Sequence, residues 1–406
     1  PALNKGSPDD AFLNSKTVVD AEYSFPYLCH APMEPINCTV RVSGDKCEIW
    51  TGTQMPGVDQ AVAAGILGLK PEQVSITTPF LGGGFGRRAT PDSDFVVEAV
   101  QIAKASGKPI KLIWTREDDM HGYHYRASFY HKIKAGLDNA GYPKAWKHII
   151  VGQSIVEGTP FEGMMQNGID PTSVEGIFDS PYVKDLPDAY VGLNSTKYPV
   201  SVLWYRSVGH THTAYVMETM IDELAKKAGK DPLEYRRKLL EHHPRHLAAL
   251  NLAAEKAGWG KPLPAGRYRG LAVHESFASY VAYVVEASIE KGNVKVHRVV
   301  GAIDCGLAVN PDGVKAQMES GVVFGLSMAL YGEITFDKGS VKQSNFHDYK
   351  VLRMNESPKI EVHIVDSTEK MGGAGEPPVP PVAPALANAI FAATGKMPRK
   401  LPINKV

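Results

Sequence analysis

The sequence predicts a mixed α/β or α+β protein of two domains, from three features of its patterning. Residues 17–55 alternate apolar and polar around a turn at Ser43-Gly44-Asp45, the two-residue period of half-buried strands. A glycine-rich run then joins a short strand at 74–77 to a helical stretch beginning near Asp94. In the second half, β-type segments at Ala272–Ile289 and Val294–Ile303 flank a turn at Lys291-Gly292-Asn293, and an apolar helix at Pro384–Ala393 is stopped by Gly395. The 406 residues are enough for two or three cores at ~150 residues each. Glycine and proline crowd residues 257–270, which predicts a linker between a first domain over 17–256 and a second over 271–406.

The elements have local causes. Val58–Leu67 reads as a helix, and Asp94–Ala105 as another, with Phe95, Ala99, Ile102 and Ala103 on one face and Gly107 as its stop. A third helix starts near Thr213, turning Val216, Met220, Leu224 and Ala228 to one side before Gly229 at C′. Asp231-Pro232-Leu233-Glu234 then supplies the N-cap, N1 proline and N3 glutamate of a fourth.

Composition excludes several classes. Lys+Arg at 44 balances Asp+Glu at 44, which argues against a nucleic-acid partner, because phosphate affinity needs clustered positive charge. Hydrophobic residues at 43% and charged residues at 22% suit a globular chain rather than a disordered one. The longest apolar run, 321–332, is too short for a membrane span. The chain begins at Pro1 rather than Met and has no secretory signal, as expected of a processed or excised product. Cys29, Cys38, Cys47 and Cys305 form no CxxC spacing, so no iron–sulfur cluster or zinc knuckle is expected on this chain.

Four segments suggest chemistry. In Gly82-Gly83-Gly84-Phe85-Gly86-Arg87-Arg88, glycines would let backbone approach a ligand; the alternative is a tight turn. The run is neither a Walker A loop, lacking Gly-Lys-Ser/Thr, nor a dinucleotide fingerprint, since Arg87 stands at the third glycine position. In Met371-Gly372-Gly373-Ala374-Gly375-Glu376-Pro377-Pro378, one carboxylate sits among small residues and prolines that fix its aim, which suits a general base; the alternative is a solvated loop acid. Tyr205-Arg206-Ser207-Val208-Gly209-His210-Thr211-His212 is a polar run ahead of a helix, whose arginine could pair with a phosphate or an oxyanion. The histidines at 121/124, 210/212 and 242/243/246 match no HExxH or Cys/His zinc spacing, and the last group reads as a solvated helix end.

Taken in order, Ala31-Pro32-Met33-Glu34-Pro35, Trp50-Thr51-Gly52-Thr53-Gln54, the GGGFG loop, Tyr205-Arg206-Ser207-Val208-Gly209, Ala272–Phe277, Asp304-Cys305-Gly306 with Asn310-Pro311, and Gly372–Pro378 resemble the large subunit of molybdenum hydroxylases. The resemblance is to the xanthine dehydrogenase / aldehyde oxidoreductase family, with its isoquinoline 1-oxidoreductase and aldehyde-dehydrogenase branch, over about residues 17–403. The resemblance implies two molybdenum-cofactor-binding domains. It implies a hydroxylase that inserts water-derived oxygen at an electron-poor sp² carbon, an aldehyde or a ring carbon beside nitrogen, with electrons leaving through iron–sulfur clusters. It implies molybdenum on molybdopterin cytosine dinucleotide, held by the pterin without a direct protein ligand, and [2Fe-2S] clusters on a partner. By residue, it makes Glu376 the base, Gln54 the hydrogen-bonding partner of an oxo ligand, and Gly84, Phe85 and Gly86 the loop packed on the metal ligands. Arg206 would stand near metal and substrate, and Gly373 and Gly375 would admit the cofactor. His274 and its neighbours would border the site.

Two departures qualify this. Ala89 stands where purine-oxidising members carry a glutamate, which argues against a xanthine-like substrate. The MGQG segment and the serine/threonine-rich segment that hold the pterin are absent, so the chain resembles the C-terminal half of such a subunit. The implied partners are the N-terminal half, on the same or a separate chain, a small [2Fe-2S] subunit and, in this branch, a cytochrome c. The alternative is a non-catalytic scaffold half. For location the resemblance implies either the cytoplasm, or the periplasm and membrane through partners.

Overall fold

The computed structural model describes residues 1–122 and 124–403. Its largest sheet has five strands in the order Leu3–Lys5, Asp188–Ser195, Pro143–Gly152, Phe129–Leu137, Thr17–Phe25. A four-stranded sheet places Val74–Thr77, Lys46–Thr51, Asn37–Ser43 and Ile110–Ile113 side by side. Another orders Arg267–Ser276, Ser279–Glu290, Asn293–Asp304 and Lys359–Ile364. The alternating stretch 17–55 therefore divides between two sheets. Among the described residues, no helix is long and apolar enough to cross a membrane.

The smaller unit follows its periodicity closely. Helices Pro56–Leu67 and Asp94–Ser106 lie on the Asn37–Ser43 sheet, burying Ala63, Ala64, Phe95, Val96, Ala99, Val100 and Ala103 against Val40 and Ile49. Gly107 ends the second helix in the left-handed region, as expected. Ile102, predicted on the buried face, is 39% exposed. The contact stripe runs instead through Val96 and Val100, one turn apart beside Phe95, Ala99 and Ala103.

Helix His210–Lys227 is the organising element. It begins three residues before the predicted Thr213 and is buried on almost every side, against the Thr17–Phe25 and Phe129–Leu137 strands, strand Arg267–Ser276 and helix Val382–Thr394. Buried Arg236 ties it down, bonding Glu218 at 2.8 Å and Asp222 at 2.7 Å. The second Glu218 contact, from the Val273 amide at 3.1 Å, attaches the third sheet to the same helix. Asp231 caps helix Pro232–Leu239 as predicted, accepting from the Leu233 and Glu234 amides.

The third sheet differs from the prediction. The expected single strand over 272–289 is a hairpin, Arg267–Ser276 paired with Ser279–Glu290, turning at Phe277 and Ala278 with φ of 49° and 59°. Neither residue is a turn former, so composition hides the break. Residues 267–270 of the glycine-rich stretch belong to the first of these strands. Gly270 is there because a Cβ would collide with backbone of Ala385 and Ala389, allowing helix Val382–Thr394 to lie directly on the strand. The histidine group at 242–246 is not wholly solvated: Pro244 opens helix Pro244–Ala257, and His246 turns inward, 6% exposed.

Candidate active site

Three loops from distant parts of the chain converge on one cavity of about 480 Å³, lined by Gln54, Gly84, Phe85, Gly86, Ala89, Trp204, Arg206, Gln317, Ser320, Gly375 and Glu376 among others. Of the sequence-predicted residues, Gln54, Gly84, Phe85, Gly86, Arg206, Gly375 and Glu376 meet there. Gly373 stands one step back, its amide donating to the Phe277 carbonyl at 2.9 Å and its carbonyl accepting from Ser279 Oγ at 2.6 Å. His274 lies outside the lining, buried against His210.

The glycine loop is held by the residues that follow it. Arg88, fully buried, donates to the carbonyls of Gly83 and Gly52 and to Glu34. Arg87 pairs with Asp94 at the start of the next helix at 2.7 Å. Both arginines are therefore internal staples. Gly86, at φ 107°, passes so close to the Trp204 carbonyl that a Cβ would collide with it. Gln54 Oε1 accepts from the Gly86 amide at 3.2 Å, and among the described residues no acceptor is bonded to its Nε2.

Glu376 is set by the facing turn. Its Oε1 accepts from the Ser207 amide at 3.0 Å, and its carbonyl accepts from Ser207 Oγ at 2.6 Å. Among the described residues no donor reaches Oε2, which leaves that oxygen to accept a proton within the cavity. Arg206 is not a free cation awaiting an oxyanion. Its Nε donates to the Gly375 carbonyl at 2.7 Å, Nη1 to Ser320 Oγ at 2.9 Å, and Nη2 to Gln317 Oε1 at 3.1 Å. It braces the Glu376 loop against helix Pro311–Leu330 and keeps a positive charge beside the carboxylate, its own pKa lowered by burial. The sequence reading missed Ser207, Gln317 and Ser320. Ser207 acts through its backbone amide, which side-chain chemistry does not advertise.

A second cavity of about 440 Å³ lies across Phe85, sharing Gly83, Phe85, Tyr205 and Ser320 with the first. Phe324 separates the two, its ring 4.8 Å from Phe85 and 5.1 Å from Tyr205.

Comparison with known proteins places the chain. The molybdopterin cofactor-binding domain family matches residues 2–240, and a second molybdopterin cofactor-binding domain family matches 214–358. The chain belongs to the molybdopterin cofactor-binding domain family. It is 33% identical to isoquinoline 1-oxidoreductase subunit beta of Brevundimonas diminuta, over 92% of this chain and 48% of that protein. It is 30% identical to a membrane-bound aldehyde dehydrogenase (pyrroloquinoline-quinone) of Gluconacetobacter polyoxogenes, over 99% of this chain and 55% of that one. The chain thus spans about half the length of these relatives. Its fold matches quinoline 2-oxidoreductase from Pseudomonas putida 86 with a TM-score of 0.83 at 14% identity, covering 99% of this chain and 77% of that one.

The residues present fit a molybdenum cofactor. Gln54 Nε2 and Glu376 Oε2 border the cavity without a partner among the described residues, a donor and an acceptor that a bound cofactor and its ligands would meet. Bare backbone at Gly375, where a Cβ would meet nothing nearer than 3.9 Å, leaves room for a bound group beside Glu376.

Proposed function

We propose that this chain forms the base-bearing half of a molybdenum-dependent hydroxylase acting on an electron-poor sp² carbon, an aldehyde or an N-heterocycle. The observation that supports it most is Glu376, which lines a cavity bordered by Gln54 and the glycine loop, with one carboxylate oxygen fixed by Ser207 and the other without a donor among the described residues. When bound, the cofactor, in its molybdopterin cytosine dinucleotide form, supplies the oxygen-transfer and two-electron chemistry. Glu376 Oε2 accepts the proton released there. Gln54 Nε2 donates toward the cofactor, and its Oε1 stays on the Gly86 amide, which fixes the carboxamide's orientation. Gly84, Phe85 and Gly86 form the wall against which the cofactor packs, and Gly373 and Gly375 keep the Glu376 loop free of side chains.

Ala89 and Trp204 border the substrate side. With no acidic group at position 89, that side suits an apolar aromatic ring rather than a purine. The aldehyde and isoquinoline names of its relatives agree with this substrate class. The assembly includes the remaining half of the large subunit, a [2Fe-2S] subunit and, downstream, a cytochrome c. The division into domains over 17–256 and 271–406 belongs to the same reading.

Elemental analysis of the natively purified assembly, followed by turnover assays with isoquinoline, quinoline and aromatic aldehydes, tests this. About one molybdenum per chain together with iron, and oxidation of one of these substrates, is expected. An assembly with intact partners and no molybdenum would favour a cofactor-free scaffold instead.

A further inference from the structure

We infer that Glu175 is a positioning residue for Glu376, acting through the backbone turn at 207–209; this deepens the reading of Glu376 as the base. Ser207 and Val208 both lie in the left-handed region, with φ of 77° and 46°. Neither is glycine, and Val208 is β-branched, so the turn persists only because its surroundings over-determine it. On one side it is held by the site itself, through the Ser207 amide and hydroxyl on Glu376. On the other it is held by Glu175, whose Oε1 accepts from the Gly209 amide at 2.8 Å. A strained turn gripped at both ends transmits a shift at either end to the other.

Glu175 is itself well anchored. It follows the short turn Pro171–Ser173, whose cap is the buried Asp170, accepting from the Thr172 amide at 2.9 Å. Its Oε2 lies 3.8 Å from His210 Nε2, and His210 Nδ1 is 2.8 Å from His274 Nε2. Gly209 carries no side chain because a Cβ there would collide with the Thr172 carbonyl, so the Glu175 segment sits directly on the turn. Burial, opposed by the Gly209 amide and aided by Asp179 and Asp170, raises the Glu175 carboxyl to about 8. A glutamine keeps an oxygen that can accept from the Gly209 amide at the same reach, which makes it a close replacement.

Glu175→Ala and Glu175→Gln in the native assembly separate positioning from bulk stability, read by hydrogen exchange over residues 205–213, melting temperature, metal content, kcat and KM. Glu175→Ala is expected to speed exchange at Ser207 and to lower kcat about tenfold or more, with KM within about twofold and molybdenum unchanged. Glu175→Gln, which keeps an acceptor for the Gly209 amide, is expected to restore both. If the alanine variant does not assemble, Glu175→Asp, which withdraws the acceptor by one methylene, carries the same expectation as alanine. Unchanged exchange at Ser207, or an equal fall in kcat for the alanine and glutamine variants, would overturn the inference. If exchange shifts as expected but Glu376→Gln turns over normally, the anchoring stands and the assignment of Glu376 as base falls.

Discussion

The small sheet unit over residues 37–113 and the rim of the cavity share a stretch of chain, yet they are built by different rules. In the sheet unit, apolar side chains make the helix–sheet core, and helices Pro56–Leu67 and Asp94–Ser106 both end on a left-handed glycine, Gly68 and Gly107. At and behind the rim, Phe85, Ser207, Val208, Phe277 and Ala278 take positive φ without being glycine, and Arg88, Arg206 and Glu376 each hold a backbone group of a neighbouring loop. The sheet unit stabilises itself by burial, whereas the rim is held in place by its neighbours. Substitutions in the first should therefore cost stability, and substitutions in the second should cost chemistry.

The sharpest break in that contrast comes from Gly86→Ala. A Cβ there collides with the Trp204 carbonyl, and φ of 107° disfavours any side chain, so the wall of the cavity must move. Turnover is expected to fall by about a hundredfold or more, with molybdenum content reduced, in metal analysis and steady-state assays of the same preparation. Ile49→Ala, in the sheet unit, should do the reverse. It removes a side chain 1% exposed, at a cost of about 2–5 kcal/mol in denaturant unfolding, while kcat of the folded fraction stays within about twofold.

A third test uses pH. His131, His148 and His212 are fully buried and bonded in a row, at 2.9 Å and 3.0 Å, between the five-stranded sheet and helix His210–Lys227. Burial holds all three below the ordinary histidine value, His148 at about 3. A depressed folded-state pKa means that the unfolded chain takes up protons first as pH falls. This contribution to stability is complete above about pH 6.5 and is lost progressively toward pH 3. Melting temperature should decline steadily over that window; a flat profile between pH 7 and 4.5 would contradict the neutral buried cluster. The smallest effect is expected at Ile102→Lys, on the exposed side of its helix, within about 0.5 kcal/mol by the same unfolding measurement.

Most regular elements were legible in the sequence because periodicity and caps are local. Strand 74–77, the helix from Asp94, the Asp231 cap and the Gly395 stop all stand where those signals put them. What escaped was set by tertiary contact. The hairpin at Phe277-Ala278 closes without a turn-forming residue, and its tip is held by Gly373 and Ser279. Ser207 serves through a backbone amide, and Arg206 meets loop and helix residues more than a hundred positions away. The cavity's glycines and Glu376 were recognisable because small residues crowded around one acid have little use in a solvated loop; the partners that aim that acid carried no such mark.

The central claim is that Glu376 moves a proton and does not hold the metal. Its most direct test is Glu376→Gln in the native assembly, with molybdenum quantified on the sample used for turnover. The predicted result is molybdenum equal to the unsubstituted protein and turnover reduced by about 10²-fold or more, since a base has been removed and not a ligand. Turnover retained at equal molybdenum would contradict it.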